Sequence, residues 1–129
     1  MIAMISGHTW LTREKFDELY VNDILRAIER GDKFIIGDAP CADTFAQELL
    51  AEHDYTDVVI YYWTGKFNQF RTPRNNVGNW QAVGIVGGGH WAKDKFMTAL
   101  SDYDIAHVLN PKSGTADNLK RRLSKNAGT

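Results

Sequence analysis

Short apolar runs alternate with segments of helical spacing along this chain of 129 residues. The runs of aliphatic, β-branched and aromatic residues predict strands at residues 1–5, 33–36, 57–62 and 103–109, whereas residues 82–86 fit either a short strand or an extended connection. Apolar residues at i, i+3, i+4 and i+7 predict helices at residues 12–30, from 42 to about 50, at 92–101 and at 112–125. Because strands and helices alternate, the pattern predicts an α/β fold with a doubly wound, mainly parallel sheet and helices on both faces.

Two helix ends carry boundary signals, whereas one long connection carries signals of a loop. Thr12 is predicted to cap the first helix, because its hydroxyl can accept a backbone N–H of the first turn. Gly31 stands where a glycine in the left-handed conformation commonly ends a helix. Residues 63–77 hold glycine, asparagine, threonine, proline and three cations, which are Lys66, Arg71 and Arg74. A connection of this length is typically functional or mobile.

Composition indicates one globular domain over residues 1–129. The chain is 43% hydrophobic and 12% aromatic, which is ordinary for a globular protein. No run approaches the ~18 apolar residues that a membrane span needs, and the N-terminus lacks the basic region of a signal peptide. The lone cysteine, Cys41, is typical of a reducing compartment. We therefore expect a cytoplasmic protein without a membrane partner.

The net charge of −1 hides an asymmetry between the two halves. Residues 1–60 hold 5 Lys and Arg against 12 Asp and Glu, and residues 61–129 hold 10 against 4. This division favours either an anionic ligand bound by the second half or self-association through complementary faces, and solvated charges segregated in this way are the alternative. We expect a homo-oligomer, with the aromatic residues Trp80 and Trp91 on a self-complementary face.

Polar or glycine-rich motifs stand beside the predicted strands. They are Ser6-Gly7-His8, Gly37-Asp38 to Asp43, Tyr62-Trp63, Gly87-Gly88-Gly89 before a helix, and Lys112-Ser113-Gly114-Thr115. Ligands of open parallel sheets bind outside the carboxyl ends of the strands. A glycine permits close approach of the backbone to a ligand, and a helix start offers free N–H groups to an anion. The motifs together predict a nucleotide or sugar-phosphate site, although each alone also fits an ordinary turn.

Candidate chemistry lies in a few side chains of these motifs. Asp38 and Asp43 flank one turn and could serve cleavage of an N-glycosidic bond, or Asp43 could cap its helix while Asp38 orders the turn. The positive end of that helix is expected to keep Asp43 ionised. His8 is either a base, a phosphate donor or a structural group. The remaining histidines show no metal-ligand spacing, so neither a metal nor a cofactor is predicted.

The phrases Ile5-Ser6-Gly7-His8 and Gly37 to Gln47 resemble the SLOG superfamily of Rossmann-like proteins, which includes DNA-processing protein A and the LOG phosphoribohydrolases. The later phrases, Lys93 to Met97, Ser101 to Ala106 and Lys112 to Asn118, resemble small phage and bacterial members. The resemblance implies a nucleotide-type ligand in a protein of the bacterial cytoplasm. Cys41 departs from the family pattern, which has glycine there, and the LOG hallmark PGGxGTxxE is absent.

The motifs and the resemblance give one set of candidate ligand-binding residues. The set is Ser6, Gly7, His8, Gly37, Asp38, Pro40, Ala42, Asp43, Thr44, Tyr62, Trp63, Gly87, Gly88, Lys93, Asp94, Lys112, Ser113, Gly114 and Thr115.

Three functions fit the sequence. The preferred one is a protein that binds a nucleotide or nucleotide-derived ligand, as a sensor or a sequestering protein. The first alternative is an N-glycosidic hydrolase or transferase that uses Asp43 and Asp38. The second is a nucleic-acid binder like DNA-processing protein A, which would use the cations of residues 63–77 and 120–122.

Overall fold

The computed structural model describes residues 1–127, and these form one five-stranded sheet with five helices. In chain order the elements are β1 (Ile2–Ile5), α1 (Arg13–Leu19), α2 (Val21–Arg30), β2 (Lys33–Ile36), α3 (Ala42–Glu52), β3 (Val58–Trp63), β4 (Gln81–Ile85), α4 (Gly89–Leu100), β5 (Tyr103–Ile105) and α5 (Gly114–Ala127). No helix among these residues is long and apolar enough to cross a membrane.

All strand pairs are parallel, and the strand order is β4-β3-β2-β1-β5. Met4 of β1 lies opposite Ile35 of β2 on one side and Asp104 of β5 on the other. The chain moves outward from β1 to β4 and then returns past β1 to β5. The strand order therefore reverses at the β1–β5 pair, where open α/β sheets form a crevice for ligands. The predicted α/β, doubly wound fold is confirmed.

Alternating side chains of the strands build two hydrophobic cores, one on each face of the sheet. On one face, α1, α2 and α3 bury Phe16, Ile24 and Leu50 against Phe34 of β2. On the other face, Met97 of α4 packs in a smaller cluster with Met4, Ile35, Val59 and Tyr61. The sheet is therefore the middle layer of three.

The predicted caps of the first helical segment are present, but the segment is divided. The Lys15 backbone N–H donates to Thr12 Oγ1 at 3.1 Å, and Gly31 ends α2 with φ of 74°. The helix expected over residues 12–30 is interrupted at Tyr20, which separates α1 from α2. Tyr20 is fully buried, and its hydroxyl donates to the Ser6 carbonyl oxygen at 2.8 Å.

Three other predicted boundaries are corrected. The third strand is displaced by one residue to Val58–Trp63, and the helix expected from residue 92 starts at Gly89. The last strand ends at Ile105 rather than at residue 109. It is short because two later backbone N–H groups donate to side chains instead of to a strand: that of His107 to Tyr20 Oη at 3.0 Å and that of Leu109 to His8 Nε2 at 2.8 Å.

Residues 64–80, here called the β3–β4 loop, connect two adjacent parallel strands without a helix. The buried side chain of Gln47 in α3 joins this loop to the sheet. Its Nε2 donates to the carbonyl oxygens of Gly37 at 3.1 Å and Asn75 at 3.3 Å, and its Oε1 accepts the Val77 N–H at 2.9 Å. The loop is therefore fixed beside the carboxyl end of β2.

Candidate functional site

A cavity of about 310 Å³, here called the strand-end cavity, opens at the carboxyl ends of β1 and β2. It lies beside the point where the strand order reverses. The structure brings together ten of the predicted site residues in its lining: Ser6, Gly7, His8, Gly37, Asp43, Lys93, Asp94, Ser113, Gly114 and Thr115. Residues far apart in the sequence therefore meet at one edge of the sheet, as the parallel topology requires.

The other predicted site residues lie outside the lining of the strand-end cavity. Asp38 and Trp63 line a neighbouring cavity of about 300 Å³. Pro40 and Lys112 are exposed. The remaining predicted residues, which line neither cavity, are Ala42, Thr44, Tyr62, Gly87 and Gly88.

Local contacts explain most of those other positions. The Thr44 hydroxyl donates to the Ala39 carbonyl oxygen at 2.9 Å, and the Tyr62 hydroxyl donates to the Arg71 carbonyl oxygen at 2.8 Å. Gly87 and Gly88 have φ of 73° and 68°, and Gly88 is the N-cap of α4. Their contacts and backbone conformations define the turn before α3, the β3–β4 loop and the turn before α4, and none of these four residues lines the strand-end cavity.

Gly37 lets two ionisable side chains approach the end of β2. A Cβ atom at this position would lie 2.7 Å from Asp43 Oδ2 and 2.8 Å from Lys93 Nζ. Both side chains are buried, Asp43 at the start of α3 and Lys93 in the first turns of α4. The carboxyl group of Asp43 and the ammonium group of Lys93 thus lie beside Gly37, although α3 and α4 pack on opposite faces of the sheet.

Burial raises the pKa of Asp43 to about 7, although the nearby Lys93 ammonium and the hydrogen bond from the Ala39 N–H act in the opposite direction. The expectation that the helix terminus keeps Asp43 ionised is therefore wrong. Asp43 Oδ2 accepts the N–H of Ala39 at 3.1 Å, and Ala39 lies in the turn before α3. Asp43 consequently orders the turn, and near neutral pH it exists in both protonation states.

Further polar groups of the strand-end cavity surround this pair. Lys93 Nζ lies 3.5 Å from Asp94 Oδ1. The Ser6 hydroxyl is buried and has no hydrogen-bond partner among the residues that the structure describes. A buried hydroxyl without a partner is costly, so a bound molecule in the cavity would satisfy it.

The start of α5 forms another wall of the strand-end cavity. Ser113 Oγ accepts the Ala116 N–H at 3.2 Å and donates to the Asn110 carbonyl oxygen at 2.6 Å. Ser113 therefore caps the helix with its own hydroxyl. Thr115 and Asn118, in the first and second turns of α5, are buried and line the cavity.

His8 is held in one tautomer by the backbone. Its Nε2 accepts the Leu109 N–H at 2.8 Å, so the ring proton of the neutral form is on Nδ1. Burial lowers the pKa of His8, which favours this neutral form. The occupied Nε2 fits a structural role, and the Nδ1–H is a donor that a phosphate could accept. Its ring also stacks on Trp10, with centroids 4.5 Å apart and planes at 8°.

Asp38 is engaged by the β3–β4 loop. Its Oδ2 accepts the Arg74 backbone N–H at 2.8 Å, and its Oδ1 accepts Arg74 Nη2 at 2.9 Å. Burial alone would raise the pKa of Asp38, but the hydrogen bonds and charge of Arg74 outweigh burial and lower it. Asp38 is therefore ionised, and both of its carboxylate oxygens are hydrogen-bonded to Arg74. Arg74 in turn lines both cavities.

Cys41, which stands where the SLOG pattern has glycine, has an unusual backbone conformation. Cys41 adopts φ of 64° and ψ of −108°, in the half of conformational space that favours glycine. The backbone thus keeps the conformation that a glycine would adopt, and the cysteine side chain bears the strain.

Nine residues of the lining are not among the predicted site residues, and those with large polar or aromatic side chains are Trp10, Arg74, His90 and Asn118. Trp10 follows the Ser6-Gly7-His8 motif by two residues, and Asn118 follows Thr115 by three. Their closeness in sequence to predicted site residues could therefore have indicated both. Arg74 lies in a long loop without a hydrophobic pattern, and nothing in the sequence predicts its contact with Asp38.

No cluster of three or more His, Cys, Asp or Glu side chains within residues 1–127 could hold a metal ion.

Of the two tryptophans expected on a self-complementary face, Trp80 is half-buried against the core and its indole N–H donates to the Tyr55 carbonyl oxygen at 2.8 Å. Trp91 is exposed. The proposed face would therefore rest on Trp91 without Trp80.

No protein-family model matches the chain, and no curated protein sequence matches it. Among solved structures, the fold is similar to that of DNA processing protein A from Helicobacter pylori, with a TM-score of 0.73 and 15% sequence identity. The match covers 98% of this chain and 62% of that chain, so this chain spans less than two-thirds of its neighbour. The Helicobacter pylori protein binds single-stranded DNA. The likeness confirms the Rossmann-like fold that the SLOG resemblance implied.

Proposed function

We propose that this protein binds a nucleotide or a nucleotide-derived ligand in the strand-end cavity, as a sensor or a sequestering protein. The observation that carries the proposal is the approach of buried Lys93 and Asp43 to one point beside Gly37. The ammonium group can bind a phosphate oxygen as a point charge. The carboxyl group can accept from or donate to a ribose hydroxyl, depending on its protonation state.

Other features of the strand-end cavity support a small polar ligand. The unpartnered Ser6 hydroxyl and the start of α5 offer further hydrogen-bonding groups. The volume of about 310 Å³ is at the lower end of the range for small-molecule sites, which is roughly 300–1,000 Å³. This size fits one nucleotide better than an extended dinucleotide.

N-glycosidic cleavage is a second candidate, and the pKa of Asp43 favours it, because a protonated carboxyl near neutral pH could donate to a leaving base. Such cleavage ordinarily needs two carboxyl groups on either side of one bond. Asp38 does not meet this need, since both of its oxygens accept hydrogen bonds from Arg74. Binding without cleavage therefore remains the preferred function.

Binding of single-stranded DNA is a third candidate. The β3–β4 loop exposes Phe67 and Phe70 beside the cations Lys66 and Arg71. Exposed aromatic rings with interspersed cations suit stacking on bases and contact with phosphates. The neighbour of similar fold binds single-stranded DNA, which also supports this candidate.

One set of measurements separates the three candidates. Wild-type protein is titrated with the four ribonucleoside 5′-monophosphates in a calorimeter, and each mixture is then chromatographed for free base. We expect heat of binding without free base, and a roughly 2- to 12-fold loss of affinity in Asp43→Asn, the worth of one neutral hydrogen bond. Free base that is released by wild type and lost in Asp43→Asn would instead establish cleavage.

The DNA candidate is tested in parallel by fluorescence anisotropy with a labelled oligothymidylate. If the β3–β4 loop binds DNA, Phe67→Ser with Phe70→Ser should abolish binding, whereas Phe96→Ser, an exposed phenylalanine of α4, should not. Tight oligonucleotide binding combined with no heat from any mononucleotide would replace the nucleotide proposal with the DNA candidate.

A further inference from the structure

We infer that the ligand of the strand-end cavity carries an aromatic base that stacks on Trp10, so that it is a purine or pyrimidine nucleotide and not a sugar phosphate alone. The inference rests on the proposed function and deepens it. It assigns a base-binding role to a residue for which the sequence motifs predict none.

Trp10 has the position and the exposure of a stacking surface. It lines the cavity that also contains Lys93 and the start of α5. One face of its indole lies against the His8 ring at 4.5 Å between centroids, yet 56% of the residue is exposed to solvent. The face opposite His8 is therefore available to a planar ligand group, and aromatic pairs favour parallel, offset contact at such distances.

The stacking surface rests on a buried, hydrogen-bonded ring. His8 is 4% exposed, and its Nε2 is held by the Leu109 N–H at 2.8 Å. The two rings lie within 8° of parallel, so the imidazole supports one face of the indole. A preorganised aromatic surface loses little conformational entropy on binding, which strengthens stacking.

Trp80 and Trp91 do not share these properties. Trp91 is exposed to a similar extent, 58%, but it lies on α4 outside the cavity lining, with the Lys95 ammonium 5.2 Å from its ring centroid. The Trp80 indole is half-buried and hydrogen-bonded to Tyr55. Trp91 therefore provides a matched control for a substitution at Trp10.

The experiment compares ligands with and without a base. Ribose 5-phosphate and the four ribonucleoside 5′-monophosphates are titrated calorimetrically into wild type, Trp10→Ala, Trp10→Phe and Trp91→Ala, after circular dichroism has verified that each variant is folded. Removal of an aromatic stacking partner typically weakens binding roughly 5- to 150-fold. We expect at least a tenfold loss for the best nucleotide in Trp10→Ala, partial retention in Trp10→Phe and no change in Trp91→Ala.

The sugar phosphate distinguishes failure of this inference from failure of the proposed function. Ribose 5-phosphate should bind more weakly than the nucleotide and equally well to wild type and Trp10→Ala. Nucleotide affinity that is unchanged in Trp10→Ala, or equal loss for ribose 5-phosphate, would overturn stacking while leaving nucleotide binding in place. If none of the five compounds bound to wild type, both the inference and the proposed function would be wrong.

Discussion

Arg74 contacts both carboxylate oxygens of Asp38, one through its backbone N–H at 2.8 Å and the other through its guanidinium at 2.9 Å. Asp38 lies in the turn between β2 and α3, and Arg74 lies in the β3–β4 loop. Because the carboxylate is buried and ionised, the loop is fixed by a charged group that has little access to water. This contact therefore couples the shape of the loop to the edge of the sheet where the strand-end cavity opens.

Replacement of Asp38 should loosen the loop. Charged hydrogen bonds contribute about 1.5–3 kcal/mol each, so Asp38→Ala should accelerate amide hydrogen exchange at Arg74 at least tenfold. Asp17→Ala, which removes an exposed aspartate of α1, should leave that rate unchanged. Equal exchange rates in wild type and Asp38→Ala would show that the loop is held by other contacts, such as those of Gln47.

Ionisation of Asp43 should make the protein less stable at higher pH. The folded-state pKa is about 7, above the ordinary value of 3.8, so the folded state holds a proton that the unfolded state has already lost. The contribution of Asp43 to stability is full below about pH 4 and is lost as the pH rises toward and through 7. Urea denaturation of Asp43→Asn, which cannot ionise, should lack this loss between pH 4 and pH 8. A parallel pH dependence in both proteins would contradict the raised pKa.

Gly7 should tolerate no side chain. A Cβ atom there would lie 2.5 Å from Ala42 Cβ and 2.6 Å from Tyr20 Oη, and the buried tyrosine is fixed by its own hydrogen bonds. Gly7→Ala should lower the free energy of unfolding by about 1–3 kcal/mol. Gly114→Ala serves as the control, because nothing lies within 4 Å of its added Cβ. Denaturation midpoints that change equally in the two variants would argue against a close contact at Gly7.

Cys41 should be a site where glycine is preferred. Both cysteine and alanine carry a Cβ atom in the strained conformation with φ of 64°, whereas glycine does not. Cys41→Gly should therefore be more stable than Cys41→Ala by about 1 kcal/mol, in contrast to the usual order at ordinary backbone positions. Comparison of the two variants removes the effect of the lost sulfur. If Cys41→Ala were the more stable, the strain at Cys41 would be refuted.

The sequence was sufficient to predict the fold because its two periodicities are strong and alternate. Strand-like runs and helical spacing give the α/β order directly, and the parallel topology then brings the ends of β1 and β2 and the start of α5 together. Ser6, Gly37 and Thr115 could be placed near one another by this reasoning alone.

Other features depend on tertiary contacts that no local pattern encodes. The interruption at Tyr20 coincides with hydrogen bonds to residues 14 and 87 positions away in the sequence. The protonation of Asp43 follows from burial, which overcomes the helix terminus. The partnership of Asp38 with Arg74 joins two turns 36 residues apart and has no spacing rule.

The central claim is that the strand-end cavity binds a nucleotide through the buried Lys93. The most direct measurement is calorimetric titration of the best-binding ribonucleoside 5′-monophosphate into wild type, Lys93→Met and Lys95→Met. Methionine keeps most of the buried volume of lysine but not its charge, and Lys95 is an exposed cation of the same helix. Loss of a charge-assisted bond to phosphate should weaken binding at least tenfold in Lys93→Met, with no change in Lys95→Met. Unchanged affinity in Lys93→Met, or an equal loss in both variants, would contradict the claim.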